Sequence, residues 1–136
     1  MTIVAIIREH AAGERRIALT PETARKLAAK GISIAIESGA GLSAGFADAD
    51  YAQGVAEVFL DELLRHGVTT ALTFATSHPE SVDALMSAAQ RRGLRLIGGK
   101  VLQDRHSPDG LRDTAQSAYD DSKALLAKWH GVDRLS

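Results

Sequence analysis

The sequence has no cysteine, which removes disulfides, thiolate nucleophiles and every cysteine-ligated metal site from consideration. Any chemistry has to come from histidine, carboxylates, lysine or hydroxyls. Aromatics make up only 4% of the residues, and net charge is nearly absent, with 16 Lys and Arg against 17 Asp and Glu. The signs are interspersed, so no basic field concentrates nucleic acid or anionic lipid, and neither kind of partner is expected. Long apolar runs are missing too. The opening "MTIVAIIREHAAG" has no basic residue ahead of its apolar core and is ended by Arg8 and Glu9. It reads as a buried strand, neither a signal peptide nor a membrane span, and a cytoplasmic location is expected.

The 136 residues are one domain's worth and long enough to bury a core. Short apolar runs at "IVAII" (3–7), "ISIAI" (32–36), "TTALTFA" (69–75) and "LRLIGGKVL" (94–102) predict four strands covered on both faces. Between them, Val82, Leu85, Met86 and Ala89 recur at helical spacing, as do Leu111, Ala115, Ala118, Tyr119, Ser122, Leu125, Leu126 and Trp129. Pro21 and Pro79 suit first helical positions, and Gly31, Gly67, Gly93 and Gly131 stand where helices stop. Strand and helix alternate, which predicts an α/β fold: one four-stranded parallel sheet, (βα)4, flavodoxin-like or half-barrel-like, with helices on both faces. The final "GVDRLS" begins like one more helix-to-strand junction. Exposed sheet edges of such a fold make self-association an expectation.

"AAGERRIALTPETARKLAAKG" and "ESGAGLSAGFADADY" carry a resemblance to the N-terminal segment of the alanine dehydrogenase and NAD(P) transhydrogenase family, over residues 1 to about 51. In alanine dehydrogenases the arginine matching Arg16 contacts the substrate carboxylate. That family also needs a lysine in a "KEP" element, a later histidine and a glycine-fingerprinted dinucleotide domain, and this chain has no GxGxxG. "GAGLSAG" follows a strand but lacks the required spacing into a helix. From about residue 46 to 136, "VFLDELLRHGVTTALTFATSHPESVDALMSAAQRRGLRLIGGKVLQDR" and "DTAQSAYDDSKALLAKWHG" resemble guanine deaminases, zinc enzymes of the amidohydrolase superfamily built on a TIM barrel. The resemblance implies a His-x-His pair, further histidines and an aspartate around zinc. His10, His66, His78, His106 and His130 are instead all singletons. No metal, cofactor or catalytic residue is therefore expected.

His66 and His130 fall beside helix-ending glycines, where an imidazole meets the negative end of the dipole. Lys100 reads as a solvated strand end or a partner of Asp104. Ser77 and His78 are neighbours in sequence, so their side chains diverge and no nucleophile and base pair forms. The remaining pocket candidates are Arg8, Arg16, Ser77, His78, Arg105 and His106, expected at the C-terminal ends of strands beside helix N-termini, where small molecules or anions collect. Two families meeting in one chain, each without its active-site partners, lead to the expectation of an engineered chimera without native catalytic function. It would be a single domain over 1–136, in which a βαβ piece over 1–51 joins a (βα)2 piece with its leading helix over 52–136. The alternatives are a residual small-molecule or anion-binding domain, or a remnant of a guanine deaminase-type hydrolase.

Overall fold

A computed structural model describes residues 3–107 and 111–136. The chain divides into two compact units, Met1–Val58 and Phe59–Ser136. In the first, strand β1 (Ile3–Ile6), helix α1 (Pro21–Ala28) and strand β2 (Ser33–Ile36) follow in order. The strands pair in parallel, with Ile3 opposite Ser33 and Ile6 opposite Ile36. Helix α1 starts where Thr20, in extended backbone, accepts a hydrogen bond from the Thr23 N–H and Pro21 takes the first helical position. Ile6, Leu19, Ala24 and Tyr51 form the buried core of this unit, and Ile17, Ile34 and Phe46 pack against it. The buried Tyr51 hydroxyl donates to the Leu19 carbonyl at 2.9 Å, so the ring's polar tip is satisfied where it enters the core.

The glycine-rich "GAGLSAG" makes a turn and a short 3-10 helix, Leu42–Ala44, closed by Gly45 at φ 85°. Its glycine requirement is one of packing. A Cβ on Gly41 would lie 2.7 Å from the Phe46 carbonyl oxygen and 2.9 Å from the Tyr51 ring. Backbone and a buried aromatic cannot retreat, so Gly41→Ala is expected to destabilise this unit by about 1–3 kcal/mol. Faster hydrogen exchange at the Glu37 amide, which donates to the Ile6 carbonyl at 2.9 Å, is the readout, and unchanged exchange would refute the close approach.

Helix α2 (Asp48–Arg65) is unbroken. Its first turn is held by the Asp50 carboxylate, which accepts the Ala47 N–H at 2.8 Å, while Asp48 accepts from Ser38 and the Gly39 N–H. Along this helix Tyr51, Ala56 and Leu60 are buried, whereas Val55 and Phe59 are exposed. At roughly 100° per residue Tyr51 and Leu60 point to opposite sides of the helix. A single amphipathic stripe could not have represented both.

The second unit contains strand β3 (Thr70–Phe74), helix α3 (Pro79–Arg91), strand β4 (Arg95–Gly99) and helix α4 (Ala115–Trp129). β3 and β4 are parallel, in register from Thr70–Arg95 to Phe74–Gly99. Helix α3 packs on β4 and on α4 and buries Val82, Leu85, Met86, Ala88 and Ala89. A capping box between Thr114 and Ser117 opens α4. At its other end Trp129 is buried, and its indole N–H donates to Asp83 at 2.6 Å. Gly31, Gly67, Gly93 and Gly131 all take positive φ at helix ends, between 62° and 79°, as their positions predict.

A single four-stranded sheet is not shown among the described residues. The strands make two two-stranded sheets, β1 with β2 and β3 with β4. Each βαβ crossover pairs its own strands, whereas apolar periodicity carries no information about pairing across the long β2–α2–β3 connection. Nor are helices on both faces of β3 and β4. Leu72, Phe74 and Ile97 share one face and are 70, 77 and 40% exposed, while Leu96 on the other face is fully buried.

Candidate functional site

The most constrained polar arrangement lies at the C-terminal ends of β3 and β4. There the Ala75 N–H donates to the Gly99 carbonyl and the Val101 N–H to the Thr76 carbonyl, which keeps the two chain segments together past the regular strands. Lys100 leaves β4 between these bonds with its side chain only 2% exposed. Its ammonium contacts the Ser77 carbonyl at 2.7 Å, Asp113 at 2.6 Å and Asp121 at 3.0 Å. These three acceptors match the three donors an ammonium has.

The expectation of a solvated Lys100 paired with Asp104 is corrected. Asp104 is exposed and its charged neighbour is Arg105, at 3.7 Å. Burial opposes the charge on Lys100, but its hydrogen bonds to Asp113 and then Asp121 outweigh it and hold the ammonium's pKa above the ordinary lysine value. The bond from Lys100 in turn holds the Asp113 carboxyl below the usual carboxylate range, against the desolvation that opposes it. A lysine so engaged is a charged clamp, without the free amine that Schiff-base chemistry requires.

The β3–α3 loop is ordered from its own side. The Ser81 hydroxyl donates to the His78 carbonyl at 2.8 Å and contacts Thr76 Oγ1 at 2.7 Å, and the Thr76 N–H donates to it. Ser77 is buried, and His78 caps α3 through its backbone conformation, without a side-chain cap bond. The segment after β4 carries Arg105, exposed, and His106, exposed with φ 53°. Its base is closed where the Asp113 N–H donates to the Gln103 carbonyl at 2.7 Å.

Thus Ser77, His78, Arg105 and His106 sit in the loops that follow β3 and β4 of the second unit. Arg8 and Arg16 belong to the first. The Arg8 N–H donates to Glu37 at 2.7 Å. The Arg16 guanidinium grips Glu14 through Nε at 2.9 Å and Nη2 at 2.6 Å, and these bonds hold the Glu14 carboxyl down to about 2. His66 follows α2 with Glu62 at 3.7 Å, and His130 is the C-cap of α4 with Nδ1 3.1 Å from Ser136 Oγ.

Sequence reasoning missed Asp113 and Asp121. Asp113 immediately precedes the Thr114 cap, and Asp121 falls among Ser117, Ala118, Ser122, Leu125 and Trp129 on the inward stripe of α4. A carboxylate on an apolar stripe calls for a buried cation, and that was the available signal. Among the described residues no group of three or more His, Asp or Glu is placed to hold a metal ion. The donor set for zinc is therefore not met by these residues. Among them no helix is long and apolar enough to cross a membrane.

With this geometry in place, known proteins divide the chain in the same manner as its motifs. Residues 5–66 match the model for the alanine dehydrogenase/PNT N-terminal domain. Alanine dehydrogenase 1 of Staphylococcus aureus (strain bovine RF122 / ET3-1) is 38% identical over 60 residues, 44% of this chain and 16% of that protein. Guanine deaminase of Escherichia coli (strain K12) is 50% identical over 90 residues, 66% of this chain and 20% of that protein. The chain has two parts. The alanine dehydrogenase-like one runs through the whole of α2 to residue 66, beyond the residue 51 expected. The chain spans a fifth or less of the length of these relatives. The solved structure of E. coli guanine deaminase follows 98% of the chain, at 36% identity and a TM-score of 0.64, over 27% of its own length.

These likenesses overturn the reading of an engineered chimera. Half of the residues over a 90-residue stretch are those of a natural guanine deaminase, and the structure of that enzyme follows the chain through both parts. Recombination by design is not required to explain the deaminase-like part, and the remnant of a guanine deaminase-type hydrolase, set aside as an alternative, fits better.

Proposed function

We propose that the chain is a segment of a guanine deaminase-type hydrolase, and that alone it does not deaminate guanine. The observation that carries the proposal is the 50% identity over 90 residues to E. coli guanine deaminase. The Lys100 clamp supports it, because it builds a rigid rim at the C-terminal strand ends, the side on which parallel α/β folds place their sites. In this reading the segment contributes scaffold and rim, while metal binding and proton transfer belong to other parts of the hydrolase.

The test has two arms. The purified chain with zinc and guanine should release no ammonia above a metal-free control, and turnover would overturn its inactivity. Replacing the matching 90 residues of E. coli guanine deaminase with those of this chain should give a folded hybrid that keeps deaminase activity within about tenfold, or about 1.4 kcal/mol of barrier. A folded but inactive hybrid would overturn the deaminase assignment.

A further inference from the structure

His78 stands in the β3–α3 loop on backbone that is held from both sides. It precedes Pro79, and a residue before proline is driven into extended conformation; its φ of -97° and ψ of 126° lie there. Its N–H donates to Thr76 Oγ1 at 3.2 Å. Its carbonyl accepts from the Ser81 N–H at 3.1 Å and from the Ser81 hydroxyl at 2.8 Å. The preceding carbonyl, that of Ser77, accepts from the buried Lys100 ammonium at 2.7 Å. The polar backbone groups of His78 are therefore spent within the loop, and the clamp fixes the peptide that leads into it.

The side chain is the opposite case. The half-buried imidazole makes no cap bond to α3, and among the described residues it has no other hydrogen-bond or ion-pair partner. Its direction follows from β3, whose pairing outlasts the regular strand: the Val101 N–H donates to the Thr76 carbonyl at 3.0 Å. Side chains alternate between faces along such backbone. Leu72, Phe74 and Thr76 are exposed and Ser77 is buried, so His78 returns to the side of Leu72 and Phe74, at the C-terminal end of the strand. A histidine that shuttles protons has its second ring nitrogen oriented by a carboxylate or a carbonyl. His78 has no such partner among the described residues, so its neutral ring can turn one donor or one acceptor to whatever it meets. A fixed backbone with an unspent side chain is what an orienting contact requires.

We propose that His78 is a substrate-orienting residue, whose imidazole hydrogen-bonds the ring edge of a planar nitrogen heterocycle bound at the C-terminal ends of β3 and β4. The identity of that heterocycle as guanine rests on the deaminase-type reading; the contact itself rests on the loop. His78 sets the angle at which the ring is held and transfers no proton. Its loss therefore weakens binding of the substrate and of the transition state equally, which raises KM and leaves kcat in place.

The test uses the hybrid deaminase that carries the matching residues of this chain, and the full chain beside it. In the hybrid, His78→Ala should raise KM for guanine about tenfold or more, with kcat and the shape of its pH profile unchanged. His78→Gln, which keeps a donor and an acceptor, should recover most of that loss. His66→Ala, whose side chain is 76% exposed beyond the end of α2, should change neither constant. An unchanged KM, or a loss carried by kcat, would overturn the orienting role. A folded hybrid without activity counts against the deaminase reading, and whenever the hybrid is inactive, folded or not, the full chain decides on the contact. Saturation transfer from the protein to the guanine ring proton, seen with the parent and His66→Ala and lost in His78→Ala, supports it; no transfer with the parent, or transfer that survives in His78→Ala, overturns it.

Discussion

Lys100→Met is expected to destabilise the second unit by about 3 kcal/mol at neutral pH, because removing one member of a buried ion pair strands the other, which typically costs about 3–5 kcal/mol. Two features set the value at the low end. Asp121 is 35% exposed, so water screens part of its charge. Asp113 retains the Gln103 N–H at 3.4 Å. The remaining cost is concentrated on Asp113, whose side chain is 8% exposed and which would face a second carboxylate with no cation between them. Urea unfolding followed by Trp129, the single tryptophan, measures this unit directly.

The pH dependence separates this loss from simple loss of packing. In the parent the hydrogen bond from Lys100 holds the Asp113 carboxyl below the usual carboxylate range. Its contribution is therefore complete above that range and disappears as pH falls through the lower folded pKa. Without Lys100, burial and Asp121 push the carboxyl above its ordinary range, so that its charged form is a penalty relieved by acid. The gap between parent and variant should narrow as pH drops from 7 toward 4. Lys100→Met combined with Asp113→Asn should recover at least half of the loss at pH 7. A single variant within about 1 kcal/mol of the parent at pH 7 would place Lys100 among surface ion pairs of little consequence.

Much of the local structure was legible in the sequence, and the reasons are specific. Pro21 and Pro79 open helices, and the four helix-ending glycines take positive φ, because these positions depend on backbone geometry within a few residues. Pairing between distant strands has no such local signature, so the single sheet was a default choice. Asp121 is hidden because helical periodicity is carried by apolar residues, and a carboxylate at the same spacing does not register in it. Among the pocket candidates, Ser77 was legible as a residue of the right loop, but its contribution is a backbone carbonyl, which residue type does not reveal.

The sharpest stability contrast is expected at adjacent residues of β4. Leu96 is fully buried, and its N–H and carbonyl both bond Arg134–Ser136, so it lies inside the sheet with its side chain among α3-facing residues. Leu96→Ala should cost about 3–4 kcal/mol, within the roughly 2–5 kcal/mol range of buried leucine truncations, because backbone hydrogen bonds on both sides prevent collapse into the void. Ile97, one residue on and 40% exposed on the opposite face, should lose only about 1 kcal/mol when cut to alanine. The comparison is a register test, since a slip of one residue would exchange the two faces and invert the order. Urea midpoints read from Trp129 fluorescence decide it: a loss at Ile97 equal to or greater than that at Leu96 would mean that β4 presents the other face to its helices.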